Sequence, residues 1–281
     1  VTTDGTSLIV VKSGGTAGVD PAVVCAAVAR AVAGGCRVVL VHGGSAEAAA
    51  LAARLDIPLR RMVAPDGSTS RHTDDGAMEA LTLAWSGRVK PALVTALIRE
   101  GVPCAGITGL DGGLLQARRN GAQRAVVGGR TVVVRDDRSG RIASVRPGIL
   151  RVLLDEGLVP VVSPPALASD GTVVNVDADR IAAAVAVALG ATRLVLLTAA
   201  PGVLADRHDA GTVLATYRPP PDGRDPAIAG GMAVKLAAAQ AALAGGVGDV
   251  VVADGRDRDS AARALAGTGG TRILPTTARK P

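Results

Sequence analysis

Five short stretches of the chain hold residue types suited to handling a phosphoryl group or a carboxylate. The first is Val11-Lys12-Ser13-Gly14-Gly15, directly after an apolar run and ahead of a helix-forming stretch. Glycines at the carboxyl end of a strand let backbone amides approach an anion closely, and a lysine beside them adds a full positive charge. A tight turn with a lysine lying along the surface accounts for the same residues. His42-Gly43-Gly44-Ser45 repeats the arrangement after another apolar run. Two such turns at neighbouring strand ends would form one rim of amides, a pairing more specific than either member. The spacing Gly-x-x-x-x-Gly-Lys-Ser/Thr does not occur, which excludes the P-loop solution to nucleotide binding.

The other three stretches carry side chains of both signs. In Ser70-Arg71-His72-Thr73-Asp74 an arginine sits in a loop before a helix, and its planar fork suits a carboxylate; Thr73 or Asp74 capping the helix with Arg71 in solvent is the plainer reading. Asn175, Asp177 and Asp179 occupy alternate positions where a strand gives way to a helix, so an extended chain sends all three to one side, more polar groups than a cap requires. Finally, Gly230-Gly231-Met232-Ala233-Val234-Lys235 puts a lysine on the first turn of an Ala-rich helix. A cation there opposes the helix dipole, and local rules fail most often at functional sites.

The elements that must position these residues follow from hydrophobic patterning. Apolar runs bounded by glycine alternate with amphipathic stretches, the pattern of a mainly parallel sheet covered by helices. Buried strands are expected over Leu8–Lys12, Arg37–Val41, Ala105–Thr108, Val159–Ser163, Arg193–Thr198 and Asp249–Ala253, with helices beginning near Pro21, Ser45, Asp75, Pro147, Asp177, Gly231 and Ser260. Asp20 and Ser45 read as helix N-caps. Between Leu114 and Val145, β-branched pieces separated by Gly128-Gly129 and by Asp136–Gly140 read as hairpins. A lobe boundary is placed at Ser163-Pro164-Pro165, dividing the chain into 1–163 and 164–281, and Pro219 to Gly223 reads as an irregular surface loop.

Composition narrows the function classes. The 281 residues are 48% hydrophobic yet contain no Phe, one Trp and one Tyr, so the core is aliphatic. Cys25, Cys36 and Cys104 lack metal-ligand spacing and read as buried free thiols. No apolar run reaches the roughly 18 residues of a membrane span, and no export signal precedes the first strand, so a cytoplasmic chain is expected. The net charge of +6 favours acidic partners, but the lack of interleaved aromatics speaks against single-stranded nucleic acid.

Taken in order, Lys-x-Gly-Gly, His-Gly-Gly, Arg-x-Thr-Asp, Asn-x-x-x-Asp, Gly-Met-x-x-Lys and a terminal Gly-Thr-Arg-Ile resemble the amino acid kinase family from Leu8 to Leu274, and most of all its acetylglutamate kinase branch. Within that branch, Ser45 in place of a third glycine, Ser70 before Arg71, and the stretch Val251–Arg256 resemble kinases whose substrate is tethered to a LysW-like amino-group carrier protein. Ala199 departs from the pattern, since acetylglutamate kinases tend to have Asp there.

The resemblance implies an open αβα sandwich with a mostly parallel sheet of about eight strands, an amino-acid lobe followed by an ATP lobe, and an ATP- and Mg²⁺-dependent kinase forming an acyl phosphate. It implies that Lys12 and the amides of Gly14, Gly15, Gly43 and Gly44 hold the transferring phosphoryl, that Lys235 neutralises the leaving oxygens, and that Asp179 orients both lysines. Ser45, Arg71 and Asn175 would hold the substrate, and Thr198, Gly231 and Met232 the nucleotide. An ordinary N-acetylglutamate kinase and a non-catalytic sensor on the same fold are the rival readings. With few residues ahead of the first strand, a homodimer is expected rather than a ring of dimers. Arg118, Arg119, Arg124 and Arg130, in the hairpin region, are expected to dock an acidic carrier, with no nucleic acid or membrane as partner.

Overall fold

The computed structural model describes residues 7–15, 18–65, 67–220, 225, 228 and 230–276. The aliphatic run after Ser7 forms β1 (Leu8–Ser13), and Asp20, accepting a hydrogen bond from Ala22 N at 2.8 Å ahead of Pro21, starts α1 (Pro21–Ala33). Next come β2 (Arg37–His42), α2 (Ser45–Arg54) and a small ribbon of β3 (Arg61–Val63) and β4 (Thr69–Arg71). Then α3 (Asp75–Ala84) runs through a π-helical turn, Trp85–Val89, into α4 (Lys90–Arg99), a helix not anticipated from the sequence. Pro91 cannot donate within the helical ladder, and the ladder widens just before it.

The chain continues through β5 (Cys104–Thr108), then β6 (Leu115–Arg119), the hairpin of β7 (Gln123–Val127) with β8 (Arg130–Val134), and β9 (Gly140–Val145), which returns antiparallel to β6. Of the hairpins expected between Leu114 and Val145, the one turning at Gly128-Gly129 is present as β7–β8, whereas the Asp136–Gly140 turn leads into β9, which pairs with β6 rather than with β8. After α5 (Gly148–Asp155) and β10 (Val159–Ser163) come the short β11 (Ala166–Ala168) and β12 (Val173–Val174), then α6 (Ala178–Leu189), β13 (Arg193–Thr198) and β14 (Thr216–Tyr217). The described chain closes with α7 (Gly230–Ala244), β15 (Asp249–Asp254), α8 (Arg258–Ala266) and β16 (Thr271–Ile273). Of the proline-rich loop, Pro221, Asp222 and Gly223 lie outside the described residues.

Eight strands form the central sheet in the order β14-β16-β15-β13-β1-β2-β10-β5. The six from β15 to β5 are parallel, while β16 joins antiparallel to β15 and carries β14 with it. Side chains alternate between the faces. Val10, Val39, Val41, Leu194 and Leu196 pack on one face with α5, α6 and α7; Ile9, Val11, Val38, Leu40, Val195 and Leu197 pack on the other with α1, α4 and α8. This two-sided burial is why these strands are continuous aliphatic runs. Among the described residues no helix is long and apolar enough to cross a membrane. Of the three free cysteines only Cys25 is buried; Cys36 and Cys104 are half-buried, since both lie where an element meets the sheet rim.

His42 closes β2 with 1% exposure and donates from Nδ1 to Gly43 O at 2.7 Å, while its Nε2 is buried without a partner among the described residues. Burial pushes its pKa down from the ordinary 6.5 to about 4. The unfolded chain thus binds this proton at a pH where the folded chain does not, so acidification favours unfolding. His42 is expected to contribute a stability loss of about 3 kcal/mol as pH falls from 6.5 through 4, absent in His42→Gln. Urea unfolding at pH 7, 5 and 4 measures it, and identical pH slopes in the two proteins would contradict it.

Candidate active site

The two glycine turns emerge at the carboxyl ends of adjacent central strands, β1 and β2, and touch. A Cβ on Gly15 would lie 2.3 Å from Gly44 N, so only glycine permits this approach at that position, whereas one on Gly43 would make ordinary contact with Gly15 Cα at 3.4 Å. The turns are tied together by Ala46 N donating to Gly15 O at 2.9 Å and Ser45 Oγ donating to the same oxygen at 2.8 Å. Ser45 is thus not the cap of α2. It is the helix's first residue, Gly44 precedes it, and its hydroxyl is engaged across the two turns. Gly14 sits against Val19 and Leu197 O.

Opposite this rim, α6 brings up Asp179, 4% exposed. Lys12 Nζ lies 2.9 Å from its Oδ1 as an ion pair outside hydrogen-bond alignment, and Lys235 Nζ donates to Oδ2 at 2.9 Å. Lys12, from β1, and Lys235, from α7, are thereby held to one carboxylate. Burial would raise the Asp179 pKa, but Lys12 and Lys235 together overcome it and hold it below the usual range. Burial lowers the Lys12 pKa, with Lys235 adding to the effect and Asp179 opposing it. Two lysines share one carboxylate, which leaves a positive excess directed at the amide rim.

Asn175, Asp177 and Asp179 all line the same cavity, but not by alternation along an extended chain. Asp177 caps α6, accepting from Asp179 N at 3.0 Å and Arg180 N at 3.2 Å, so Asp179 already lies in the helix. Burial, and then the charge of Asp179, raise the Asp177 pKa. Lys235 falls on the second turn of α7 rather than the first, because that helix begins at Gly230. Its conflict with the helix dipole is offset by Asp179.

The cavity holds about 710 Å³. At its other end stands Arg71, the last residue of β4 rather than a loop residue, while Asp74 caps α3 by accepting from Ala77 N at 2.9 Å. Arg71 Nη1 is sealed from solvent and has no acceptor among the described residues. Burial, and secondarily Arg61, lower its pKa. Asn175 donates from Nδ2 to Thr73 Oγ1 at 3.3 Å, which turns its Oδ1 to the role of acceptor. Gly231 lines the cavity as well. Thr198 closes β13, its carbonyl held by Gly255 N at 2.8 Å, and the Met232 side chain packs on the core beside α7.

Other cavity residues went unnoticed in the sequence: Leu81 and Trp85 form an apolar wall, and Asn120, Gln123, Ser139, Arg141 and Arg180 line its rim. Only Trp85, the single tryptophan of the chain, had a compositional signal. Of the arginines in this region, Arg118, Arg124 and Arg130 are exposed, whereas Arg119 donates to Asp137 O at 2.9 Å and Arg135 O at 3.1 Å in the loop between β8 and β9.

A parallel sheet with amides, two lysines and a carboxylate at the carboxyl ends of its central strands suits binding and transfer of phosphoryl groups. The amino acid kinase family profile matches residues 7–254, and the chain belongs to this family. A [LysW]-aminoadipate kinase from Deinococcus radiodurans is 38% identical over 266 residues, covering 94% of this chain and 90% of the relative. The [LysW]-aminoadipate kinase of Thermus thermophilus is 38% identical over 266 residues, covering 93% and 98%. Carbamate kinase from Giardia lamblia bound to AMP-PNP superposes with a TM-score of 0.67 at 15% identity, covering 97% of this chain and all of that one, a likeness of fold.

The contact between the turns makes a prediction. Gly15→Ala must separate them, and misplacement of that order is expected to lower kcat for phosphoryl transfer by about 10²-fold. Gly121→Ala, at a position where a Cβ meets nothing within 4 Å, serves as the control. Steady-state kinetics on both variants decide it; near-normal turnover in Gly15→Ala would show that the amide rim takes no part.

Proposed function

We propose that this kinase transfers the γ-phosphoryl group of ATP to the side-chain carboxylate of glutamate or 2-aminoadipate whose α-nitrogen is acylated by an acidic LysW-like carrier protein. The observation that carries the reading is the pairing of Lys12 and Lys235 on one buried carboxylate at one end of the cavity with, at the other, a guanidinium nitrogen of Arg71 that has no partner among the described residues. Transfer to a carboxylate joins two anions and needs no base, so catalysis lies in charge screening and alignment.

In this reading, Lys12 and the amides of Gly14, Gly15, Gly43 and Gly44 hold the transferring group, Lys235 balances charge on the leaving phosphate, and Asp179 fixes both lysines. Arg71 takes the α-carboxylate, and Asn175 Oδ1 accepts from the N–H of the acylated α-nitrogen. Ser45 acts by fixing the turn, and Thr198, Gly231 and Met232 lie on the nucleotide side. Mg²⁺ brought in with ATP would supply charge neutralisation to the phosphates. Asp177, with Oδ1 taken by two helix amides, would have its other carboxylate oxygen to offer toward that ion. Residues 1–163 furnish most of the amino-acid side and 164–281 the nucleotide side, meeting where β1 pairs with β13.

The carrier reading is supported by the relatives' names and by exposed Arg118 on β6 and Arg124 and Arg130 on the β7–β8 hairpin, which would steer an acidic surface. A homodimer in the cytoplasm completes the proposal. Its support is the free edge of β5, flanked by exposed Ile98 on α4 and Val152 on α5. N-acetylglutamate is the rival substrate, since the same lysines and arginine would serve it. Turnover of free N-acetylglutamate at a rate matching the carrier-linked substrate would overturn the carrier reading.

Lys12→Ala and Lys235→Ala are each expected to lower kcat by about 10²–10³, the effect of losing one preorganised electrostatic group, with smaller changes in KM. Near-normal kcat with weaker ATP binding would make the lysine a ground-state anchor. Replacing Arg118, Arg124 and Arg130 together with Glu is expected to lower kcat/KM for the carrier-linked substrate strongly at low ionic strength and less at high, with ATP affinity little changed. An unaltered kcat/KM at low salt would remove the hairpin from the docking surface.

A further inference from the structure

The loop between β8 and β9 lays three consecutive residues against the segment that follows β4. Asp136 Oδ1 meets His72 Nε2 at 2.9 Å, Asp137 Oδ1 accepts from Thr73 N at 2.8 Å, and Arg138 donates from Nε to Asp75 Oδ1 at 2.6 Å and from its backbone N to Thr73 O at 2.7 Å. The outer two contacts involve well-exposed carboxylates and add little. The middle one is of another kind. Asp137 is 2% exposed, and its Oδ2 accepts from Gln123 Nε2 at 2.7 Å, from Ser139 N at 3.1 Å and from Ser139 Oγ. Among the described residues no cation is ion-paired with this carboxylate; neutral donors from three segments converge on it. A buried carboxylate left short of such donors is costly, so it holds their placement tightly.

What these segments carry gives the carboxylate its consequence. Thr73, gripped by Asp137 at its N–H, receives Asn175 Nδ2 on its hydroxyl, and the backbone of Asn175 is clasped between Arg138 O and Gly140 N, both at 2.9 Å. Arg71 lies two residues before Thr73 at the end of a ribbon whose strands have three residues each. A two-stranded ribbon of that length is not rigid by itself. The fixed position of its arginine must therefore come from outside the ribbon, and the Asp137 cluster is the buried polar anchor next to it. Gln123 and Ser139 bring the β7–β8 hairpin and the start of β9 into the same cluster, and both line the cavity.

We propose that Asp137 is a positioning residue, one that sets the distance between Arg71 and Asn175 through Thr73 and so couples the placement of the hairpin sheet to capture of the amino-acid end of the substrate. The inference rests on the reading of Arg71 and Asn175 as substrate-holding groups. It assigns Asp137 no part at the phosphoryl end, where Lys12, Asp179 and Lys235 are held by one another.

The test is Asp137→Asn, which keeps shape and one acceptor oxygen but turns an amide N–H₂ toward donors. KM is measured for ATP and for whichever of carrier-linked 2-aminoadipate and N-acetylglutamate the unaltered enzyme turns over better. Binding of that substrate is also followed by the fluorescence of Trp85, the chain's single tryptophan, on the cavity wall. The expected result is a rise of about 10-fold or more in amino-acid KM and dissociation constant, the size of losing a charge-assisted hydrogen bond, with ATP KM within about twofold. Asp136→Asn, on the exposed rim, is expected to change neither. A double-mutant cycle with Arg71→Lys is expected to be non-additive, as it must be if Asp137 acts through Arg71. If Asp137→Asn does not fold, Gln123→Met, which removes one donor from the same oxygen, is expected to raise amino-acid KM by about threefold. Unchanged amino-acid KM in a folded variant, equal loss of ATP affinity, or strict additivity with Arg71→Lys overturns the proposal. Absence of turnover in the unaltered enzyme overturns the functional reading itself and this inference with it.

Discussion

Everything at the phosphoryl end of the cavity depends on the carboxylate of Asp179 bridging two lysines from distant parts of the chain. Three charges with little solvent access are costly to bury unless each is compensated, and removing one partner from such a set is more damaging than never having it. The sheet order makes the bridge possible. β1 lies between β2 and β13, so Lys12 leaves the centre of the sheet beside the turn after β2, while α6 and α7, packed together on one face, bring Asp179 and Lys235 to the same spot. The glycine turns complete the constraint, because their close approach exists only where Gly15 lacks a Cβ.

Much of this was legible in the sequence for a physical reason. Strands buried on both faces must be apolar throughout, so six of the eight central strands read as aliphatic runs, and their carboxyl ends are marked by the chemistry that follows them. The short β14 and β16 on the sheet's far edge, and the two- and three-residue pieces elsewhere, are too brief to show a period. α4 was hidden by Pro91, which sits inside a helical run and is accommodated by a π turn. Ser45 looked like a cap because its residue type favours one, yet tertiary contact with Gly15 engaged its hydroxyl. Arg141 and Arg180 reach the cavity through packing of β9 against α6, and Gln123 and Ser139 through the Asp137 cluster, long-range events with no local signature.

The two ends of the cavity are built on different electrostatic terms. At the phosphoryl end, charges compensate one another within the protein, and a positive excess remains for the group in flight. At the amino-acid end, Arg71 has a buried nitrogen without an acceptor among the described residues, an arrangement tolerable when a substrate carboxylate completes it. On the proposed reading, binding energy gained at Arg71 and Asn175 aligns a nucleophile already ionised, and the lysines act on charge that develops during transfer.

The central claim, phosphoryl transfer to a carboxylate, is tested most directly by trapping the product. An acyl phosphate reacts with hydroxylamine to give a hydroxamate, whereas a phosphate ester or free phosphate does not. Incubation of the unaltered enzyme with ATP, Mg²⁺, hydroxylamine and carrier-linked 2-aminoadipate or glutamate is predicted to form hydroxamate and ADP in equal amounts. ADP released with no hydroxamate, across every carboxylate acceptor tried, would contradict the account.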